Sequence, residues 1–337
     1  MNKRKEILNL GSIRNILIIR LSSLGDLLLS TPLVRTLKNQ YPDININYLV
    51  GTRYKDTLKL NPYVSKLFLY ESQKEKIAVL LKRLKESQFD LIIDLQNNFR
   101  SKEITDSLDI RTLKFYKHSV DKFLLVKFKI NRLKSEPPLP ERYAHTIPGF
   151  KLDGFGIDLF TENNSSASLE GKNNLIGFAP GSRHFTKMWP KDYFRYLGEL
   201  LVKAGYTVVL FGGKDDMPVC SELAGKIHNS INLCNDDKLL QTAADMKKCK
   251  AVVCNDSGLM HTACAMKVPV LAFFGSTVKE FGFTPYKNKD LILENNSLTC
   301  RPCSHTGRAR CPKGHFRCML ELSPEKAFEA LLTLVES

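Results

Sequence analysis

Residues 251–266 constrain the fold more tightly than any other part of the chain. A short apolar run, Ala251–Cys254, leads into Asn255-Asp256-Ser257-Gly258-Leu259-Met260-His261, which opens an Ala-rich helical pattern reaching Met266. A strand that enters a helix through an acidic-glycine turn is the repeating unit of a parallel α/β sheet. Such a helix start presents unpaired backbone N–H groups and the positive end of the helix dipole, which together attract phosphate. His261 lies one turn inside, where it can face the same ligand. The competing reading is a helix capped by Asp256 or Ser257, with His261 as an ordinary surface residue.

The same grammar recurs along the chain. Asn15–Leu21 reads as a strand, Leu27–Asn39 as a helix, and Ile44–Val50 and Phe89–Leu95 as further strands. Between Asp153 and Asn174 the periodicity fades into Thr161-Glu162-Asn163-Asn164-Ser165-Ser166, a linker composition. It then restarts: Leu175–Ala179 strand, Pro190–Ala204 helix stopped by Gly205, Thr207–Phe211 strand, Leu239–Lys247 helix, Ala251–Cys254 strand, Leu259–Met266 helix and Val270–Phe274 strand. The expectation is an α/β protein of two Rossmann-like, doubly wound parallel-sheet domains, 1–160 and 175–325, joined by a linker at 161–174 and followed by a C-terminal helix at 326–337. Sheets of this kind bind ligands at the carboxyl ends of their strands, which places the site in a central cleft that the two domains face.

The chain of 337 residues is long enough for two cores. Its apolar runs are short, and Met1-Asn2-Lys3-Arg4-Lys5 leads into a strand without a small-residue cleavage pattern, so neither a membrane span nor a signal peptide is indicated. With nine Cys and no export signal, the expected setting is cytoplasmic, with most thiols reduced. Net charge is +15, and residues 1–150 carry 27 Lys and Arg against 15 Asp and Glu, a difference of +12. Arg111–Lys134 interleaves Arg111, Lys114, Lys117, Lys122, Lys127, Lys129, Arg132 and Lys134 with Phe and Leu. Such a segment suits acidic lipid, a phosphorylated glycolipid or nucleic acid, or is a solvated helix face over an ordinary core stripe.

Four loops lie where a strand-end rule wants ligands. Arg20-Leu21-Ser22-Ser23-Leu24-Gly25-Asp26 puts a carboxylate at a helix start and lacks the G-x-G-x-x-G spacing of dinucleotide-binding turns. Asp26 is a candidate base or simply a cap, and the helix dipole that favours its anion also makes it a weaker base. In the second half, Gly181-Ser182-Arg183-His184-Phe185-Thr186-Lys187 brings donors and fixed positive charge to a strand end. Asn255–His261 is the third loop, and Phe274-Gly275-Ser276-Thr277 the fourth.

Ile16–Leu37, Lys187-Met188-Trp189-Pro190, Val208-Val209-Leu210-Phe211-Gly212-Gly213 and Asn255–His261 running on to Thr277 resemble, in the same order, the lipopolysaccharide heptosyltransferases of glycosyltransferase family 9, most of all the heptosyltransferase II type. Asp90–Arg100 and Glu141-Arg142-Tyr143 extend the likeness. The resemblance implies a GT-B fold and an inverting transfer of heptose from ADP-L-glycero-β-D-manno-heptose to the lipopolysaccharide inner core, with no metal ion required. It assigns Asp26 as general base and Lys187 as the cation that neutralises the leaving diphosphate. Donor binding falls to Gly181, Ser182, Lys187, Asp256, Ser257, Gly258, Leu259, His261, Ser276 and Thr277, and acceptor binding to Ser23, Gly25, Arg100, Lys122 and Arg142. The length of the Gly181–Lys187 loop varies in the family, so Ser182, Arg183 and Thr186 are placed less firmly than Lys187. The expected enzyme is a monomer at the cytoplasmic face of the inner membrane, touching its anionic surface and binding no nucleic acid. Another nucleotide sugar is the alternative within the fold.

Cys300, Cys303, Cys311 and Cys318 follow C-x2-C-x7-C-x6-C, with His305 and His315 among them. Four thiolates can close a tetrahedral structural zinc site, although the second pair lacks the spacing of a zinc ribbon; reduced thiols are the other reading. A basic arm plus a zinc knuckle would make a nucleic-acid-binding protein. The separation of basic residues and cysteines into different domains speaks against it.

Overall fold

The structure, a computed structural model, describes residues 8–71 and 75–336. Met1–Lys5, read above as the start of an unexported chain, lies outside the described residues.

In chain order the strands are β1 (Asn15–Ile19), β2 (Asn45–Gly51), β3 (Lys66–Tyr70), β4 (Leu91–Asp94), β5 (Thr112–Lys114), β6 (Leu175–Ala179), β7 (Thr207–Leu210), β8 (Ile231–Asn232), β9 (Ala251–Asn255), β10 (Val270–Phe274) and β11 (Asp290–Glu294). The helices are α1 (Leu24–Leu28), α2 (Thr31–Gln40), α3 (Ile77–Lys85), α4 (Phe99–Leu108), α5 (Ser119–Phe128), α6 (Leu139–Ala144), α7 (Lys191–Lys203), α8 (Met217–Lys226), α9 (Leu239–Met246), α10 (Gly258–Ala265), α11 (Arg317–Leu320) and α12 (Pro324–Glu336).

They form two compact units, residues 1–117 with 140–155, and 118–139 with 156–337. The first holds a five-stranded parallel sheet in the order β3-β2-β1-β4-β5. β1 is apolar on both faces, as a central parallel strand covered by helices must be, and Ile16 through Ile19 are all fully buried. Its register against β4 is pinned by Asp90, whose Oδ2 accepts from Arg14 N and Asn15 N, both at 2.8 Å. The helix expected over Leu27–Asn39 is two helices. Ser30 Oγ donates to Leu27 O at 2.7 Å, and Pro32, which has no N–H to continue the ladder, sits in the first turn of α2.

The second unit carries a six-stranded parallel sheet, β11-β10-β9-β6-β7-β8. Ile176, Phe178, Val253, Leu271 and Phe273 pack from the sheet against Phe194 and Leu197 of α7 and Leu331 of α12. Trp189 stacks on Phe273 with ring centroids 4.1 Å apart, and its indole N–H donates to Leu322 O at 2.8 Å.

Two expectations about organisation change. Residues 118–139, counted with the first 160, pack in the second unit, where Leu125 and Leu133 bury against Phe281. The stretch read as a linker is fastened to α9: Ser166 N and Oγ bind the Asp245 carboxylate at 2.6 and 2.9 Å, and Thr161 Oγ1 donates to Leu240 O. The C-terminal helix expected at 326–337 is α12, which packs into the second core.

Candidate active site

In the first unit, β1 ends at Ile19 and the chain turns through Arg20–Ser23 into α1, which sets Asp26 at the carboxyl end of the sheet. Asp26 Oδ1 lies 2.5 Å from Arg20 Nη2. Oδ2 accepts from Ser23 Oγ at 2.7 Å and Ser23 N at 3.1 Å, and Tyr143 OH donates to Oδ1 at 3.2 Å. Arg20 is aimed by its own bonds to Ser22 O and Leu95 O, each 2.7 Å. Burial pushes the Asp26 carboxyl up, but the Arg20 guanidinium and the Ser23 hydrogen bonds outweigh it and hold the group below the ordinary carboxylate value. Burial also raises the Tyr143 phenol well above its usual value, so it remains an O–H donor. The Ser23–Asp26 contact is a cap. Capping leaves the ion pair and the tyrosine unexplained, and these make Asp26 a buried, oriented anion.

The expected acceptor residues are scattered. Ser23 touches Asp26 and Gly25 is its buried chain neighbour, whereas Arg142 is buried on α6 and Arg100 is exposed in the first turn of α4. Lys122 sits on α5, in the other unit.

In the second unit, the donor-binding candidates converge. Lys187 Nζ meets Asp256 Oδ2 at 2.6 Å, and Thr277 Oγ1 donates to the same oxygen at 2.7 Å. Ser182 Oγ reaches Asp256 O at 3.5 Å. Asn255 ties the β6 and β9 loops together, accepting from Trp189 N at 2.9 Å and donating to Pro180 O at 2.7 Å. The competing reading of the opening motif is settled by these bonds. Asp256 is committed to Lys187 and Thr277, and Ser257, at the N-cap position, makes no side-chain cap. The N-terminus of α10 is thus left without a side-chain cap, next to a lysine, while His261 is buried within the helix rather than on the surface. Gly258 begins α10, and Leu259 follows half-buried.

Gly275 lets two loops close on each other, because a Cβ there would stand 2.9 Å from Thr186 O and 2.7 Å from Met319 Cε. Thr186 Oγ1 donates to Ser276 Oγ at 3.0 Å and accepts from Arg308 N at 2.8 Å. Gly181 faces the Asp216 side chain, with no room for a Cβ.

The cysteine loop braces this assembly. Among the described residues no group of three or more His, Cys, Asp or Glu is arranged to hold a metal ion, so the zinc reading finds no ligand geometry in Cys300, Cys303, Cys311 and Cys318. All four are free cysteines, and burial pushes the Cys318 thiol up to about 11. What the loop contributes is Arg301. Its buried guanidinium donates to Gly275 O (2.6 Å), Phe274 O (3.0 Å), Thr277 O (3.0 Å) and Asn295 O (2.6 Å), and pairs with Glu294 Oε2 at 2.8 Å. Cys303 N donates to Ser276 O at 3.2 Å. Arg301→Lys keeps the charge but loses the planar fork, and is expected to lower unfolding free energy by about 2 kcal/mol. A thermal melt matching the parent protein would remove Arg301 as the brace.

Lys129, from the basic segment, donates to Cys300 O at 3.1 Å and Pro302 O at 2.6 Å. The basic helix and the cysteines therefore share one unit, and their expected separation into two domains does not hold. Sequence reading also passed over Arg20, Tyr143 and Arg301 as site residues. Arg20 had a signal, an arginine at a strand end beside an aspartate loop; Tyr143 and Arg301 act on residues too distant in the chain to leave one.

The described residues contain no helix long and apolar enough to cross a membrane. The family described as glycosyltransferase family 9 (heptosyltransferase) matches residues 77–312. The lipooligosaccharide heptosyltransferase 2 of Haemophilus influenzae is 29% identical, covering 95% of this chain and 99% of that protein. The lipopolysaccharide heptosyltransferase 2 of Escherichia coli is 26% identical, with 95% and 98% covered. Among solved structures, a family 9 glycosyltransferase from Veillonella parvula superposes with a TM-score of 0.78 at 21% identity, covering 96% of this chain and 98% of that one. The ADP-heptose lipopolysaccharide heptosyltransferase II of Escherichia coli gives 0.73 at 24% identity, again with 96% and 98% covered. Two parallel α/β units with these neighbours constitute a GT-B fold. The matched span exceeds half of the sequence, and the chain belongs to glycosyltransferase family 9, the heptosyltransferase family, as a glycosyltransferase.

Proposed function

We propose that this enzyme transfers heptose, with inversion, from an ADP-activated donor to a lipopolysaccharide inner-core hydroxyl, and that each unit supplies one half of the chemistry. The observation that carries the reading is the Lys187–Asp256–Thr277 cluster at the uncapped start of α10. As the acceptor oxygen bonds to the anomeric carbon, the bond from that carbon to the diphosphate breaks and negative charge grows on ADP. Lys187 and the free N–H groups of α10 face that charge, and a fixed donor of this kind is worth about 3 kcal/mol. Asp256 and Thr277 hold the lysine in place before the donor arrives. The acceptor proton passes to Asp26. A carboxylate of depressed basicity serves because the hydroxyl becomes strongly acidic only as its oxygen bonds to carbon, so transfer is late.

Gly181, Ser182, Ser257, Gly258, Leu259, His261, Ser276 and Thr277 would line the donor, and Ser23, Gly25, Arg100 and Arg142 the acceptor. Support for the heptose and its acceptor comes from the names of the relatives together with the motif order. Thermal melts with nucleotide sugars test the donor. ADP and ADP-heptose are expected to raise the midpoint most, with about 2.7 kcal/mol of stabilisation at a hundredfold excess over Kd. A preference for UDP or GDP sugars would sink the ADP-heptose assignment and leave a transferase of another donor.

A further inference from the structure

We propose that the solvent face of α5, with the turn that follows it, seats this protein on an anionic lipid bilayer. Helix α5 turns Leu125 inward onto Leu133 and Phe281. Its outer face carries Val120, Phe123 and Phe128, which are 63%, 59% and 58% exposed, and Ile130 just beyond the helix is 48% exposed. Positions 120, 123, 127 and 128 lie on one side at helical spacing. A helix on a water-facing surface normally gives that side to charged residues, and single exposed apolar residues need no account; an aromatic cluster along one turn after another does.

Charge selects the occupant. Lys127, Arg132 and Lys134 are exposed on and just beyond the helix. The acids of the segment are drawn off to one side, Asp121 Oδ2 lying 3.2 Å and Glu136 Oε2 3.5 Å from the two ring nitrogens of His118. Aromatic side chains ringed by long cationic ones match the headgroup region of a bilayer that carries acidic lipid: the rings enter the acyl boundary while the amines reach the phosphates. The helix is also wired to the donor loops, since Lys129 holds the carbonyls of Cys300 and Pro302 and Cys303 N holds Ser276 O. Seating α5 therefore seats the unit that carries Lys187. The proposal is independent of donor chemistry and is tested without it.

The test is co-sedimentation of the full chain with vesicles of phosphatidylcholine, with and without phosphatidylglycerol. Binding is expected only with phosphatidylglycerol, and to weaken with salt. Phe123→Ser with Phe128→Ser should weaken it at least about tenfold, and Lys127→Gln and Lys134→Gln by about fivefold each. These positions are exposed, so melting temperatures should match the parent. Three results would overturn it: no binding to phosphatidylglycerol vesicles at low salt, binding that ignores the double Phe change, or equal binding to neutral vesicles. A concentration-dependent dimer that the double Phe change abolishes would make a second copy of the chain the occupant and also overturn it.

Discussion

Asp26→Asn is expected to lower kcat by about 100- to 10,000-fold while ADP still protects the protein against heat, because it removes the proton acceptor and leaves the other unit untouched. The substitution must be Asn first. Arg20 is buried against Asp26 at 2.5 Å, and Asp26→Ala would leave that guanidinium without its carboxylate, at a cost of about 3–5 kcal/mol. The Asn amide fills the same space and its one oxygen can still accept from Arg20, at the loss of the Ser23 bonds and of the neutralising charge, so Asn opens no cavity but also lowers stability. Comparing kcat at matched folded fraction separates chemistry from stability, and full activity in a folded Asn variant removes Asp26 as the base. pH gives a second reading. The folded-state carboxyl lies below its ordinary value of 3.8, so its contribution to stability is complete above that value and is lost only as pH falls through the folded one. Activity should accordingly show no Asp26 limb near neutrality, and an acid limb close to pH 6 that disappears in Asp26→Asn would contradict the geometry.

Lys187→Ala is expected to cost about 100- to 1000-fold in kcat/KM, with weaker ADP binding, because the cation facing the leaving diphosphate is gone. It also leaves Asp256, almost entirely buried, with Thr277 as its remaining side-chain partner. Stability should fall by about 3 kcal/mol. The second effect can be removed without the first: pairing Lys187→Ala with Asp256→Asn should recover much of the melting temperature and none of the turnover. If the double variant recovered activity together with stability, Lys187 would be a structural lysine. Unchanged ADP protection in the single variant would count equally against the proposed role.

Much of the second unit was legible because its signals are local. Leu175–Ala179 and Val270–Phe274 are β6 and β10 at their full bounds, being short apolar runs closed by a turn residue. Edge strands β3, β5, β8 and β11 escaped, since half-exposed short strands carry no such run. The α1–α2 break escaped as well. Apolar spacing continues across Ser30, and Pro32 reads equally as a kink or a beginning. The strand-end loops stood out because glycine, hydroxyl and charge at a strand end have few other uses.

Sequence alone thus determined the parallel α/β class and the strand-end loops on which Asp26, Lys187 and Asp256 sit, all readable within a dozen positions of the chain. Only the tertiary structure decided what each of these touches. Tyr143 reaches Asp26 across 117 positions, Arg301 organises the Gly275 turn from inside the cysteine loop, and α5 leaves its sequence neighbours for the second unit. Such partners are chosen by burial and by the need of each buried charge and carbonyl for a mate. That need is met wherever the fold brings a mate within reach, at no fixed distance along the chain.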